Sequence, residues 1–292
     1  MTSSQPPGPG AQQSIPSDAA PQQDLKRQIG LWSAISIVIG TTIGSRNSRS
    51  PAGIGDNLPG PIPLAIIWVA AGLFALCGAL SFSELASAFP RTGGIFAFIR
   101  EGFGKLPAFL FGWAEVTVIR AAAVGGIATT FAEYFLRVIG VDPGLYARYV
   151  AAAAIIVMGT VNILGVRWGT LVLNATTLAK YLGLIFIIVM ALAIGLPETG
   201  GYYTPAFPEG SFTVSAVGLA LVSALWAYDG YADLSYASGE VKDPQRNLPR
   251  ALIGGTCAVV FIYLLANIAY LAVLSVEEIR NSPLVAADVA ER

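Results

Sequence analysis

The sequence predicts an all-α integral membrane protein with about seven transmembrane helices. Two features of its composition support this fold class: 54% of the 292 residues are hydrophobic and only 12% are charged. A soluble domain typically carries about 25% charged residues, so most side chains here face something other than water. The third feature is a series of seven apolar segments. Most of them reach the ~20 residues that a helix needs to cross ~30 Å of hydrocarbon.

The apolar segments are separated by short polar turns or turns rich in Gly and Pro. The third segment is long enough to cross the membrane with a strong tilt. In chain order, the seven segments are residues 29–50, 63–89, 107–139, 146–164, 171–194, 214–238 and 251–274.

Residues 1–28 are expected to form a disordered cytoplasmic tail ahead of a transmembrane domain at residues 29–292. The tail is rich in Pro, Gln and Ser, so it cannot bury enough apolar surface to fold. Nine basic residues in the connections are expected on the same side of the membrane as the tail, and four on the other side. This excess predicts a cytoplasmic N-terminus. The nine are Lys26, Arg27, Arg91, Arg100, Lys105, Arg167, Lys242, Arg246 and Arg250, and the four are Arg137, Arg148, Arg280 and Arg292.

Several classes of function are excluded or disfavoured by the residues present. The chain contains no histidine, which excludes histidine-based metal sites and histidine acid–base catalysis. Cys77 and Cys257 both lie inside apolar segments, so we expect small core residues and not a disulfide or a metal site. The sequence shows neither a metal-ligand cluster nor paired catalytic acids, and therefore predicts no enzyme, no metal and no cofactor.

The first and sixth segments carry helix-breaking residues at membrane depth. The first contains Gly40 and Gly44, and its clean apolar run at residues 29–43 would be only ~22 Å long as a helix. The sixth contains Asp229 and Gly230 in the middle of an apolar run. Open backbone at this depth is tolerated only inside protein or against a water-filled cavity. Interrupted segments at corresponding positions of two halves indicate a transporter with inverted repeats.

A broken helix is chemically suited to a zwitterion. Its free N–H groups bind a carboxylate and its free carbonyl groups bind an ammonium or another cation. An amino acid fits both ends. The other interpretation is that the glycines only allow close helix packing, as small residues do in membranes. The presence of two interruptions, with Asp229 beside Gly230 in the second, favours the broken-helix interpretation.

A few charged residues lie in or beside apolar segments and need partners. Glu115 and Arg120 are five residues apart, so they should not share one helix face, and we expect each to pair with another helix. Glu84 and Arg91 are expected to form a surface or gating ion pair. Lys180 lies in the middle of the fifth segment, which favours a functional role over snorkelling to the membrane surface.

Short motifs in a fixed order carry a resemblance to a known family. They include Gly40-Thr-Thr-Ile-Gly-Ser45, Glu84-Leu-Ala-Ser-Ala-Phe-Pro-Arg-Thr-Gly-Gly94, Ala227-Tyr-Asp-Gly230 and Gly239-Glu-Val-Lys-Asp-Pro-Gln-Arg-Asn-Leu-Pro-Arg250. With these motifs the chain resembles the amino acid–polyamine–organocation transporter superfamily. It is most similar to the L-type amino acid transporter branch and its bacterial serine/threonine-exchanger-like relatives. The resemblance runs over residues 31–292.

The resemblance implies a five-plus-five inverted-repeat fold of the LeuT-like kind, with helices one and six broken around a substrate site at the membrane midplane. The first repeat would span residues 29–195, and the start of the second would span residues 212–275. The implied function is secondary active transport of amino acids, by a permease or exchanger, across a bacterial cytoplasmic membrane.

The family's substrate site can be carried over to this chain residue by residue. The backbone N–H groups at Gly44 and Ser45 would bind the substrate carboxylate. The carbonyl groups of Ile43, Trp226 and Ala227 would face the amine.

Four further positions complete the implied site. Tyr228 and Asp229 would line the pocket beside Gly230, which lies in the second interruption. Lys180 resembles the family lysine that occupies a former sodium position and braces the broken first helix.

The chain departs from the family pattern in two places. Where relatives have Gly-Ile-Phe after the first break, this chain has Arg46-Asn47-Ser48, so a large side chain lies where the substrate carboxylate would approach. Arg46 would then pair with a carboxylate such as Asp229 or plug the site. The family has ten core helices, so seven segments predict a truncated permease. Two alternatives to a working permease follow: an inactive truncated fragment and, from helix number alone, a seven-helix receptor or sensor.

The expected partners are an amino acid substrate and the lipid bilayer. No nucleic-acid partner is expected, because the net charge is only −1. Eukaryotic members of this branch are joined to a heavy subunit through a cysteine in the third outer turn, which corresponds to residues 140–147. That stretch contains no cysteine here, so no disulfide-linked heavy subunit is expected.

Overall fold

The computed structural model describes residues 27–44, 46–164, 166–208 and 213–292, and the predicted tail at residues 1–28 lies almost entirely outside this part. The described chain is helical, with one isolated bridge between Ile29 and Val241. Its α-helices are α1 (Leu31–Thr42), α2 (Arg46–Gly55), α3 (Pro61–Ala88), α4 (Gly94–Phe103), α5 (Lys105–Ala114), α6 (Arg120–Val138), α7 (Pro143–Leu164), α8 (Val166–Met190), α9 (Leu196–Thr199), α10 (Val214–Tyr228), α11 (Pro244–Val273), α12 (Val276–Asn281) and α13 (Val285–Glu291). Two π-helical turns, Glu115–Ile119 and Ala191–Gly195, and a 3-10 helix, Tyr231–Glu240, complete them.

Six helices in the described ranges are long and apolar enough to cross a membrane. The first predicted segment is different, because it forms the 12-residue α1, which is only ~18 Å long, and continues as α2. The protein is therefore a multi-pass helical membrane protein, while the count of about seven spans stays a prediction. The six helices are Pro61–Ala88, Lys105–Val138, Pro143–Val161, Ala175–Thr199, Val214–Glu240 and Pro244–Val273.

The helices differ in how far other helices enclose them. In α11, 56% of an apolar 18-residue stretch is buried inside the described structure. The corresponding share is 6% in the helices at 105–138 and 143–161. These outer helices expose large apolar side chains such as Leu110 and Ile156. In a bilayer such side chains face lipid tails, which are as apolar as they are. α11 therefore lies at the centre of the described bundle, packed against α1 and α3.

The two cysteines are not core residues, so that expectation is wrong. Cys77 on α3 and Cys257 on α11 are both free and exposed. The physical reason is that a membrane-spanning helix is apolar on its lipid face as well as its protein face. An apolar run in the sequence therefore does not separate the two.

A cluster of three aromatic rings packs α3, α10 and α11 together. Trp68 lies 5.7 Å from Tyr228 and 5.6 Å from Tyr263 between ring centroids, in edge-to-face arrangements. Tyr228 and Tyr263 are 5.3 Å apart. All three side chains are buried, and such aromatic pairs contribute ~0.5–1.5 kcal/mol each beyond the area that they bury. This cluster fixes the end of α10 against the central helix.

Glu115 and Arg120 form an ion pair with each other, which corrects the prediction that they cannot share a face. The distance from Arg120 Nε to Glu115 Oε1 is 2.7 Å. The cause is the π-helical turn Glu115–Ile119 between α5 and α6, since a π-helix brings residues five apart into register. The expectation of a partner on another helix is confirmed for Arg120, whose Nη2 also lies 2.9 Å from Asp233 Oδ1.

Arg91 pairs with Glu101 and not with Glu84, which corrects the second predicted ion pair. The Nη1–Oε1 distance is 3.4 Å and both side chains are largely exposed. Glu84 lies within α3, which ends at Ala88, whereas Arg91 lies in the following turn and faces α4. An exposed pair of this kind contributes little to stability.

Two short helices follow α11 and pack back on the bundle. Ser275 and Glu278 form a capping box at the start of α12, and the backbone N–H of Ser275 holds the pKa of Glu278 below its usual value. α13 is fixed to the end of α6 by Arg137, whose Nη2 lies 2.5 Å from Asp288 Oδ1 and 2.7 Å from Glu291 Oε2.

Candidate functional site

The first helix is interrupted where the sequence predicts a break. α1 ends at Thr42, Ile43 is extended with φ −73° and ψ 109°, and α2 begins at Arg46. Ser45 lies outside the described residues, as does the side chain of Arg46. A Cβ added at Gly44 would meet no atom within 4 Å, so the backbone there borders open space.

Lys180 lies against the end of α1. Its Nζ donates to the carbonyl oxygen of Ile43 at 3.0 Å and lies 3.5 Å from that of Gly40. The last carbonyl groups of an α-helix have no partner within the helix, and they carry the negative end of its dipole. The ammonium of α8 therefore satisfies acceptors at the carbonyl end of α1.

The second interruption follows α10. The helix ends at Tyr228, Asp229 is extended with φ −61° and ψ 134°, and Gly230 has φ +129° and ψ −20° before the 3-10 helix begins at Tyr231. The N–H of Asp229 still donates to the carbonyl of Leu225 at 3.1 Å. The carbonyl groups of the helix residues after Leu225 lie at the end of α10, where the N–H donors of a continuing helix are absent.

The side chains around this break face different directions. Ala227 and Tyr228 are buried, and the Tyr228 hydroxyl donates to the carbonyl of Trp68 at 3.2 Å. Trp226 and Asp229 are exposed on the surface of the described chain. Of the residues predicted to line a pocket here, the structure therefore encloses Tyr228 and leaves Asp229 open.

The two interruptions are in direct contact. The hydroxyl of Thr41 lies 2.9 Å from the carbonyl oxygen of Gly230. A Cβ added at Gly230 would lie 2.8 Å from the carbonyl oxygen of Thr41, and its φ of +129° is a conformation that other residues rarely adopt. Gly230 is thus required twice, for its own backbone conformation and for the close approach of α1.

Tyr263 of α11 reaches both interruptions, a role that the sequence did not show. Its hydroxyl oxygen lies 2.9 Å from the carbonyl oxygen of Thr42 and 3.2 Å from that of Ala227. A buried tyrosine hydroxyl usually finds a hydrogen-bond partner. The only available signal was therefore a tyrosine within an apolar segment, without any indication of which helix it would face.

A cavity of about 730 Å³ opens beside the first interruption. Ile43 and Gly44 border it from α1 and Lys180 from α8, while Tyr134 and Arg137 line it from α6. Three of the predicted site residues thus share one cavity. Gly230 and Ala227 do not line this cavity. Gly230 reaches the same region through Thr41 of α1, and Ala227 reaches it through Tyr263 of α11.

α2 is held against α6 by a further ion pair. Arg49 pairs with Glu133, and both side chains are partly buried. α2 is the half-helix that follows the first interruption, so this pair fixes its position relative to the bundle.

A charged cluster lies one turn beyond Gly230, between the 3-10 helix and the π-helical turn Glu115–Ile119. Asp233 and Glu115 both pair with Arg120, whose guanidinium lies 5.6 Å from the centre of the Tyr236 ring. These four side chains line a second cavity of about 320 Å³. The cluster joins the segment that follows the second interruption to the π-helical turn.

Comparison with known proteins decides the family. The family model described as amino acid permease matches residues 29–291. The chain belongs to the amino acid permease family. This assignment confirms the resemblance found in the sequence, and it disfavours both a seven-helix receptor and an enzyme.

The permease chain is also similar to curated transporters. It is 36% identical to the b(0,+)-type amino acid transporter 1 of Homo sapiens over 284 residues, which cover 96% of this chain and 58% of the relative. It is 35% identical to the large neutral amino acids transporter small subunit 2 of Oryctolagus cuniculus over 280 residues, which cover 92% of this chain and 51% of the relative. The chain thus spans a little over half the length of these relatives.

Proposed function

We propose that this protein transports amino acids across the cytoplasmic membrane as a secondary active permease or exchanger. The observation that carries the proposal is the contact between two interrupted helices. Their carbonyl ends converge, as shown by Thr41 and Gly230, which lie within hydrogen-bonding distance. The named relatives are amino acid transporters, and the zwitterion of an amino acid matches the free N–H and carbonyl groups of broken helices.

In the proposed site, the substrate carboxylate binds backbone N–H groups at Gly44 and Ser45. The ammonium binds carbonyl groups among Ile43, Trp226 and Ala227. The open space beside Gly44 and the cavity that Gly44 borders support access of the substrate to the N–H groups that would bind its carboxylate. Lys180 braces this end of α1 with a fixed positive charge, in the place where other transporters of this fold hold a cation.

The proposed mechanism is alternating access within a five-plus-five inverted repeat. One group of helices would rock against the other around the two interruptions, which stay at the membrane midplane. The excess of basic residues on the tail side supports a cytoplasmic N-terminus. Residues 140–147 contain no cysteine, which supports transport without a disulfide-linked heavy subunit.

Uptake into proteoliposomes tests the proposal. The purified protein is reconstituted into vesicles preloaded with one unlabelled neutral amino acid, and uptake of a panel of labelled amino acids is measured. We expect labelled neutral amino acids to accumulate and excess unlabelled substrate to displace them. Vesicles that show no uptake, together with purified protein that binds no member of the panel, would contradict the proposed function.

A pair of glycine variants links the activity to the interruptions. Gly230→Ala should lower uptake by at least about tenfold, because the added methyl group meets the Thr41 carbonyl and a positive φ is strained for alanine. Gly218→Ala is the matched control, since Gly218 lies on α10, which precedes the interruption, and a Cβ there meets no atom within 4 Å. Equal uptake by both variants would show that the contact between the interruptions is not needed for transport.

A further inference from the structure

The end of α6 carries two opposite charges on one face. Glu133 and Arg137 are four residues apart in this helix, a spacing that places their side chains next to each other. In the structure each charge has its partner on another element. Glu133 pairs with Arg49 of α2. Arg137 pairs with Asp288 and Glu291 of α13. α6 therefore supplies the acid to one neighbouring element and the base to another.

α2 and α13 belong to a different group of helices from α6. α13 packs against α2 and α11, and α12 also packs against α2. α6 packs closely on α7, where the small residues Ala128, Ala132 and Ala151 meet. In the described chain, long charged side chains connect the two groups at Glu133 and Arg137.

These ion pairs lie at the border of the larger cavity. Arg137 and Glu291 line this space of about 730 Å³, which extends to Gly44 at the first interruption. α13 also contributes Ala286 and Ala287 to its wall. Movement of α2 and α13 away from α6 would therefore widen the approach to the first interruption.

Such a movement would separate both charges of α6 from their partners. The side chains of Glu133 and Arg137 are only 22% and 29% exposed, and an unpaired charge at a partly buried position in a membrane protein is costly. Each has an alternative partner in the other. An acid that precedes a base by four residues on a helix is the favourable order for an ion pair, so rotation of the side chains alone would bring them together.

We propose that Glu133 and Arg137 exchange partners when the protein opens. In the closed arrangement they hold α6 against α2 and α13. In the opened arrangement they pair with each other, so that neither charge of α6 is left alone and opening is easier than the rupture of two fixed ion pairs. This inference rests on the proposed function, because it assumes that alternating access separates the two groups of helices at this end.

A cysteine at position 286 reports the separation. Ala286 is buried on α13, in the apolar cluster that includes Tyr270 of α11. In a background with Cys77→Ser and Cys257→Ser, Ala286→Cys should react with a water-soluble maleimide only while α13 is displaced. The reaction rate of the purified full chain in lipid nanodiscs therefore measures the population of the opened arrangement.

Two variants break the same ion pair but should affect this rate differently. Arg49→Gln removes a pair of the closed arrangement only, so the rate should rise by about three- to tenfold. Glu133→Gln removes the pair with Arg49 before opening and the pair with Arg137 after opening. The two losses offset each other, and the rate should rise by no more than about twofold. Arg280→Gln is the matched control, because Arg280 pairs with Asp56 within the group that moves, and it should leave the rate within about twofold.

The outcomes separate the inference from the proposed function. Equal increases in Arg49→Gln and Glu133→Gln would show a fixed ion pair without exchange and overturn the inference, as would an unchanged rate in Arg49→Gln. If Arg49→Gln does not fold, Asp288→Asn combined with Glu291→Gln replaces it, since this variant also removes only partners on the moving elements and should raise the rate. If the unmodified protein takes up no amino acid, the proposed function fails, and the order of the rates still decides whether the exchange occurs.

Discussion

At the scale of single residues, Lys180 shows how a charge is accommodated within a helix that is apolar enough to span a membrane. Its partners in the described structure are the carbonyl oxygens of Ile43 and Gly40. Hydrogen bonds to a charged group are stronger than neutral ones, because the charge polarises the contact. The lysine therefore stabilises a helix end that would otherwise leave acceptors exposed to an apolar medium.

Replacing this lysine should impair transport. Lys180→Met keeps the length of the side chain but removes the ammonium, so the end of α1 loses a charged donor. We expect uptake of labelled amino acid to fall by at least about fivefold, corresponding to one charge-assisted hydrogen bond. Lys105→Met is the control, since Lys105 is an exposed lysine at the start of α5. If both variants transport equally, Lys180 is only a cavity-lining cation.

Residue types and spacing predicted only part of this site. Gly44 and Gly230 were visible because glycine interrupts an apolar helix, whereas Gly40 lies inside α1 and does not interrupt it. The contact of the Thr41 hydroxyl with Gly230 and that of the Tyr263 hydroxyl with Thr42 were not visible, because these backbone oxygens are 189 and 221 positions away in the chain. A sequence pattern records the presence of a hydroxyl, but it does not show which distant carbonyl group the fold brings within reach.

At the scale of secondary-structure elements, the π-helical turn Glu115–Ile119 determines which charged side chains form an ion pair. It inserts one residue into the helix at 105–138 and thereby brings Glu115 beside Arg120. Sequence spacing could not predict this pair, because the rule for helix neighbours assumes regular α-helical turns. The turn places one guanidinium between two carboxylates, the second of which is Asp233 on the 3-10 helix.

This arrangement predicts an order of stability among charge variants. Asp233→Asn leaves one acid and one base, whereas Arg120→Gln leaves two acids without their base. Arg120→Gln should therefore lower the melting temperature more, by about 2–8 °C for a chain of this size, because unpaired like charges repel. The double variant should recover part of this loss, since it removes one of the two acids.

Thermal unfolding of the purified variants, followed by intrinsic fluorescence, measures these differences. Arg148→Gln is the control, because Arg148 is exposed on α7 and its guanidinium interacts with the neighbouring Tyr149. If Asp233→Asn destabilises the protein more than Arg120→Gln, the guanidinium is not the group that holds the cluster together.

At the scale of the whole molecule, hydropathy was enough to identify a membrane protein but not to arrange its helices. The exposure of Cys77 and Cys257 shows the difference, because lipid-facing and protein-facing sides of a span are equally apolar. The central position of α11 follows from its burial, which no linear pattern revealed. The interruptions were predictable because they change composition within a segment.

The orientation in the membrane is the remaining property of the whole chain. The charge count predicts which side the N-terminus faces, and the structure adds which regions share that side. Basic residues predict that the tail and the connection before α11 lie in the cytoplasm. In the structure these two regions meet, because Gln28 donates its N–H to Glu240 at 2.8 Å and Lys242 donates to Ile29 at 2.9 Å. They therefore lie on one side of the membrane, whichever side that is.

Labelling with a membrane-impermeant maleimide tests which side it is. In a background with Cys77→Ser and Cys257→Ser, single cysteines are introduced at the exposed positions Asp142 and Gln245. We expect Asp142→Cys to react in intact cells and Gln245→Cys to react only after permeabilisation, because Asp142 lies in the turn between α6 and α7. The reverse pattern would place the N-terminus outside. The charge asymmetry would then not determine the orientation of this protein, although the contact between residues 28–29 and the connection before α11 would still hold.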